Sequence, residues 1–165
     1  MALRQNRSMK FLITSLFFVL SVNASASENE SFLIEESDFQ KLGGVMKEKS
    51  LGLVLMLHAE HCPYCALMEN EILSPMVKSG EYDQRIVIRK LQIDEARDVI
   101  DFSGKMVEPS DISDRYKATL TPTLVFLDYQ GKQQNQNMIG INTVELFGAY
   151  LDIEIDKLMK NIKSQ

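Results

Sequence analysis

Apolar and polar positions along the chain alternate in blocks that predict a short list of elements. "SDFQ" at Ser37 to Gln40 has the form of a capping box, opening a helix that carries Phe39, Leu42 and Met46 on one face. "LGLVLML" (Leu51 to Leu57) is a continuous apolar run, the pattern of a strand covered on both faces. From Cys62, "CALMENEIL" predicts a helix that offers Leu67, Ile72 and Leu73 to the core, with Pro75 kinking or ending it. "RIVIRKLQI" (Arg85 to Ile93) alternates and is β-branched, a second strand. A polar connection follows, with a turn at Ser103–Gly104, and then a short helix over Asp111 to Tyr116. "TLVFLDYQGKQ" predicts a strand, a turn at Gly131 and the start of a hairpin partner. The last helix begins near Asn142, with Glu145 three residues on. Its apolar stripe is Val144, Phe147, Leu151, Ile155 and Leu158.

Strand, helix, strand, helix, hairpin, helix is an α/β order that implies a mixed central sheet flanked by helices in one domain. In such sheets, sites gather where the carboxyl ends of strands meet helix starts. "HAEHCPYC" (His58 to Cys65) occupies such a junction.

The first residues change the setting. Arg4, Arg7 and Lys10 precede the apolar run "FLITSLFFVL" and the small residues Ala24 and Ala26, the layout of a cleaved export signal. The apolar run is too short for a permanent membrane-spanning helix. The reading is residues 1–26 as signal peptide, 27–36 as flexible lead-in and 37–165 as the folded domain. It places the protein in a periplasm, as in a Gram-negative bacterium, without stable membrane insertion. The whole chain has 18 basic and 23 acidic side chains and a net charge of −5. Residues 1–26 hold three basic and no acidic residues, so the remaining 139 carry −8. That balance gives no footprint for nucleic acid.

Both cysteines and both histidines of the chain fall within those eight positions. A Cys62–Cys65 bond closes a tiny loop and removes little entropy from the unfolded chain, so stability is not its purpose. Covalent haem requires His directly after the second cysteine, where this chain has Ala66. "H-x-x-H-C-x-x-C" does supply four ligand types for zinc or copper(I), and a metallochaperone is the alternative reading. Thiol–disulfide chemistry is favoured by position. A free thiol near 8.5 is only about 3% ionised at pH 7, whereas unpaired N–H groups at a helix start favour the anion. In C-x-x-C settings the first thiol falls to roughly 3.5–7.5. Cys62 is the residue so placed, and Pro63 suits a first helical turn. His61 is expected to modulate the neighbouring thiol and His58 to pack by a hydrogen bond. Tyr64 is either a substrate-facing ring or loop filler.

With these residues in place the chain resembles the thioredoxin-fold superfamily over roughly residues 37 to 160. "HAEHCPYC" resembles the strand end and C-x-x-C pair, and "IRKLQID" the next strand. "YKATLTPTLVFLDYQGK" resembles the cis-proline loop and hairpin, and "MIGINTVELFGAYL" the closing glycine and helix. Thr121-Pro122-Thr123 follows the cysteine pair, with Pro122 standing 57 positions beyond Cys65. The match looks nearest to exported thioredoxin-like proteins of the sulfur-oxidation and disulfide-isomerase type. The resemblance implies a redox-active Cys62–Cys65 disulfide with no other cofactor, Cys62 as nucleophile and Cys65 as resolving thiol. It further implies that Pro122 is cis and that Thr121 offers backbone groups to an extended substrate. Gly140 would allow close backbone approach. Clients would be exported protein thiols and disulfides, a membrane or periplasmic thiol donor would recycle the pair, and the protein would be a monomer.

Two departures stand out. The buried acidic residue of thioredoxins is replaced by Met56, which leaves Lys90 without that partner; Lys90 or Glu60 is expected to take over the electrostatic role. The dipeptide between the cysteines, Pro63-Tyr64, is the glutaredoxin type. Whether the pair reduces, oxidises or isomerises is not fixed by these residues.

Overall fold

A computed structural model describes residues 32–164. The expected export signal and half of the expected lead-in therefore lie outside the described residues. The elements in chain order are α1 (Phe39–Lys49), β1 (Gly52–His58), α2 (Pro63–Met68), a π-helical turn (Glu69–Leu73), α3 (Ser74–Ser79), β2 (Ile86–Gln92), β3 (Val99–Ile100), β4 (Met106–Val107), α4 (Pro109–Arg115), β5 (Thr123–Leu127), β6 (Met138–Ile139) and α5 (Val144–Lys163).

The main sheet has the order β2–β1–β5–β6. β1 and β2 run parallel, while β5 is antiparallel to β1 and β6 to β5. This is the thioredoxin fold, a mixed sheet in one domain.

The apolar run in β1 is explained by burial on both sides. Val54 and Met56 point into a cluster with Met68, Ile72, Phe147, Leu151 and Ile155. Leu53, Leu55 and Leu57 point the other way, against Phe39, Leu42, Met46 and Ile112. β5 divides in the same manner, Leu124 and Phe126 against Val125 and Leu127. Side chains of a strand alternate faces, so each layer of helices finds an apolar set.

Several expected details move. The cap of α1 is Asp38, whose carboxylate accepts from the Lys41 N–H, and not Ser37. Of the two outcomes expected at Pro75, a kink or an end, the end does not occur: helical structure continues to Ser79. Proline cannot donate to the carbonyl four residues back and crowds it; the widened π turn just ahead of α3 accommodates that defect. The short helix runs over Pro109–Arg115, two residues earlier than expected at its start, with Pro109 opening it. The polar connection holds the small β3–β4 hairpin, closed around Gly104.

The lead-in also ends sooner than residue 36. Leu33 is buried, and Glu35 bridges Lys90 in parallel along the free edge of β2. The Glu36 N–H donates to the Lys90 carbonyl at 2.9 Å, and the Lys90 N–H to the Ile34 carbonyl at 3.1 Å. Backbone pairing, which polar composition does not reveal, orders this segment.

Candidate active site

β1 ends at His58, and four residues later the chain enters α2 with Cys62 as its N-cap. Cys62 is extended (φ −94°, ψ 101°), and its Sγ accepts from the Cys65 N–H at 3.2 Å. Pro63 occupies the first turn, where no donor is required. Cys62 and Cys65 are joined as a disulfide with their Cα atoms 5.2 Å apart. Cys62 is partly exposed, whereas Cys65 is only 4% exposed. A partner sulfur therefore reaches the first cysteine and not the second.

The other half of the site comes from the loop before β5. The Thr121–Pro122 bond is cis, and the Thr121 hydroxyl lies 3.6 Å from Cys62 Sγ. Pro122 is buried, and its carbonyl accepts from the Gly140 N–H at 2.8 Å. Gly140 has a left-handed φ of 69°, but a Cβ there would meet open space. Its role is thus to supply a backbone conformation, and the expected close approach of chain is not what requires glycine. Tyr64 is 63% exposed between the cysteines, Leu120 is exposed in the loop before β5, and Ile139 is exposed on β6, opposite Thr123.

The charged residues are arranged differently from expectation. Lys90 does not lack a carboxylate: Glu69, at the start of the π turn, holds its ammonium through both oxygens at 2.9 Å. Both side chains are 14% exposed. Met56 sits opposite Lys90 in the β1–β2 register, fully buried and apolar, so the acid arrives from the helix instead of from the strand. Glu60 is exposed and pairs loosely with His61 at 3.6 Å, while its N–H donates to the Asp94 carboxylate. His61 adopts a left-handed φ of 55°, and its ring is 89% exposed. Water and salt screen any charge that an imidazole so placed carries.

His58 packs as expected, by a hydrogen bond. Its Nε2 lies 2.9 Å from Glu35 Oε2. Burial works to raise the Glu35 carboxyl, but hydrogen bonds from His58 and the Gln92 N–H, with the charges of His58 and Lys90, hold it below its ordinary value. His58, Glu60, His61, Cys62, Ala66 and Glu69 line one recess of about 480 Å³. Among the described residues no group of three or more His, Cys, Asp and Glu side chains is gathered to hold a metal ion. Sequence reasoning missed Glu69, Glu35 and the Thr121 hydroxyl. For Glu69 a signal existed, since it stands one helical turn beyond Cys65.

Comparison with known proteins agrees with this geometry. A sequence profile described as a thioredoxin-like domain matches residues 39–153. Mitochondrial thioredoxin 3 of Saccharomyces cerevisiae, in its oxidized form, superposes with a TM-score of 0.50 at 19% identity, covering 75% of this chain and 93% of that one. The germline-specific thioredoxin Deadhead of Drosophila melanogaster gives 0.51 at 18% identity, covering 73% and 99%. No curated protein sequence matches the chain.

Proposed function

We propose that this chain, which belongs to the thioredoxin-like domain family, exchanges disulfides with exported protein clients through Cys62. Family membership and the Cys62–Cys65 disulfide make it a thiol–disulfide oxidoreductase. In the reducing direction the Cys62 thiolate attacks a client disulfide, and one client sulfur leaves as a thiolate. Cys65 then attacks the mixed disulfide at Cys62, forming the intramolecular bond and releasing the second client sulfur. Two electrons pass from the protein's dithiol to the client, and a membrane or periplasmic thiol donor restores the dithiol.

The observation that carries the reading is the disulfide itself, its outer sulfur partly exposed under the Thr121 hydroxyl and its inner sulfur buried. Thr121 and the exposed Tyr64, Leu120 and Ile139 suit an extended apolar client segment. The basic, apolar and small-residue order of residues 1–26 supports export to a periplasm. We read the working form as a monomer that acts as a reductant or isomerase and carries no cofactor beyond the disulfide.

Cys65→Ala is expected to stall the reaction at the mixed disulfide, so purification from periplasmic extract yields covalent client adducts that a reductant releases. Catalysed insulin reduction by the native chain accompanies this. Stoichiometric copper(I) binding with no insulin reduction and no adducts would instead favour a metal carrier and remove the proposal.

A further inference from the structure

We infer that the outer face of α5, built from Leu146, Tyr150 and Ile153, docks an extended apolar segment of the client while the client's cysteine reacts at Cys62. The inference rests on the thiol–disulfide reading of that site and names the kind of client it takes.

α5 carries two apolar stripes. Phe147, Leu151, Ile155 and Leu158 are buried against the sheet. Leu146, Tyr150 and Ile153 recur at spacings of four and three, so they share another face. They are 53%, 58% and 50% exposed and belong to neither core cluster. One stripe is enough to seat a helix on its sheet; the second does nothing for the fold. Between α5 and β6 lies a groove of about 230 Å³, lined by Met138, Ile139, Gly140, Thr143, Phe147 and Tyr150. That is smaller than the roughly 300–1,000 Å³ of small-molecule sites and suits a single apolar side chain.

The groove is tied to the redox centre by two contacts. The Gly140 N–H donates to the Pro122 carbonyl at 2.8 Å, and the Thr121 hydroxyl stands 3.6 Å from Cys62 Sγ. β6 ends the sheet. From the loop at Thr121 to the outer side of β6 is two strand spacings, about 10 Å, which three extended residues cross. A client joined to Cys62 therefore reaches the groove with its third or fourth residue from the cysteine and α5 with those that follow.

The occupant is client chain and not a second copy. Leu146, Tyr150, Ile153 and the half-exposed Ile139 present on the order of 400 Å² of apolar surface, the size of patch that marks interaction sites on monomers. A symmetric pair would bury about twice that, short of the roughly 1,200 Å² of a stable interface. Glu145 and Asp152 are exposed beside the stripe, and the first cation of α5 is Lys157. That charge favours apolar segments with basic flanks. Such segments are open to contact in incompletely folded chains. The client class is thus a chain whose disulfide is exchanged before folding is complete.

The test uses two synthetic peptides, each with one cysteine held as a mixed disulfide with thionitrobenzoate. In one, a Leu-Val-Phe run between lysines starts about three residues from the cysteine; in the other, Ser-Gly-Ser replaces the run. The Cys62 thiolate attacks the peptide sulfur, and the coloured thionitrobenzoate leaves with the electron pair of the broken bond. Below saturation, the reduced native protein is expected to react with the apolar peptide about tenfold faster than with the polar one. Leu146→Ser combined with Tyr150→Ser is expected to bring that ratio to about one. Met106→Ser, at a 63% exposed apolar position on β4, keeps it. All three side chains are exposed, so the variants fold. Equal rates for the two peptides with the native protein, or a preference that survives in the double variant, overturn the inference and leave the chemistry of Cys62 standing. Release from neither peptide removes the thiol reading and the inference together. Sedimentation of the native protein is expected to give a monomer; a dimer dispersed by the double variant would assign this face to a second copy and overturn the inference.

Discussion

His58 Nε2 lies 2.9 Å from Glu35 Oε2, tying the last residue of β1 to the segment that precedes α1. Glu35 also accepts from the Gln92 N–H in β2. One carboxylate thus joins three pieces of chain at the end of the strand that leads to Cys62.

That arrangement sets a pH dependence. The Glu35 carboxyl is held below its ordinary value of 4.5, so its contribution to stability is fully present above pH 4.5 and is lost as pH falls through the folded-state value. Glu35→Gln is expected to cost about 1 kcal/mol at neutral pH, a modest figure because the group is partly solvated. Below the folded-state value the cost vanishes, since native Glu35 is then also neutral. Urea midpoints from pH 3 to 7 check this; parallel curves for the two proteins would remove the assignment.

Asp101 has the same sign and a larger effect. It is 3% exposed and accepts from the Ser103 N–H and hydroxyl, the Lys105 N–H and the Arg115 guanidinium. Burial acts to raise its carboxyl, and those donors outweigh it, holding it well below the usual 3.8. This side chain adds to the backbone bonds that close the β3–β4 hairpin, the Asp101 N–H to the Lys105 carbonyl and the Gly104 N–H to the Asp101 carbonyl. Asp101→Ala is expected to destabilise by about 2 kcal/mol, because four hydrogen bonds to one buried carboxylate are lost while their donors remain within reach of water. Thermal unfolding at pH 7 measures it, and a change under about 0.5 kcal/mol, the size of an ordinary surface substitution, would contradict the role.

Two left-handed glycines separate conformational strain from lack of space. At Gly140 (φ 69°) no atom lies within 4 Å of the position a Cβ would take, so Gly140→Ala is expected to cost about 1 kcal/mol, the backbone penalty alone. At Gly131 (φ 77°) a Cβ would fall 2.4 Å from the Phe102 ring, which itself packs on Phe39 with ring centroids 5.3 Å apart. Gly131→Ala is expected to cost about 3 kcal/mol, strain plus displacement of a packed ring. Equal costs at the two positions in denaturant unfolding would show that space is not limiting.

The parts of the site that were legible in sequence share one property: local pattern determines them. A buried apolar strand followed by Cys62-Pro63-Tyr64-Cys65 forces the thiols to a helix start, and the Thr121-Pro122 loop precedes an equally apolar strand. The Glu69–Lys90 pair was not legible because it joins a helix to a strand 21 residues away. Its geometry depends on a helical path that runs through the π turn and past Pro75, a residue that in sequence marks a break. Glu35 was missed for a related reason. Its order comes from backbone pairing on a sheet edge, and the sequence places it with Glu36 in the flexible lead-in. The two-residue strands β3 and β4 are too short for alternation to register at all.

Thr121 gives the most direct test of how the loop acts on the nucleophile. Its hydroxyl donates toward Cys62 Sγ at 3.6 Å, and a donor to sulfur favours the thiolate over the thiol in the reduced protein. Thr121→Val keeps the branched shape and removes the donor. Loss of one weak hydrogen bond of about 0.7 kcal/mol corresponds to roughly a threefold slower attack by Cys62 at pH values below the thiol's pKa. Because the donor acts on ionisation, the pH–rate profile of that step is expected to move to higher pH while the plateau at alkaline pH stays in place. The resolving step, which depends on Cys65, is expected to keep its rate. Superimposable profiles for Thr121→Val and the native chain would show that the loop holds the client and leaves the sulfur untouched.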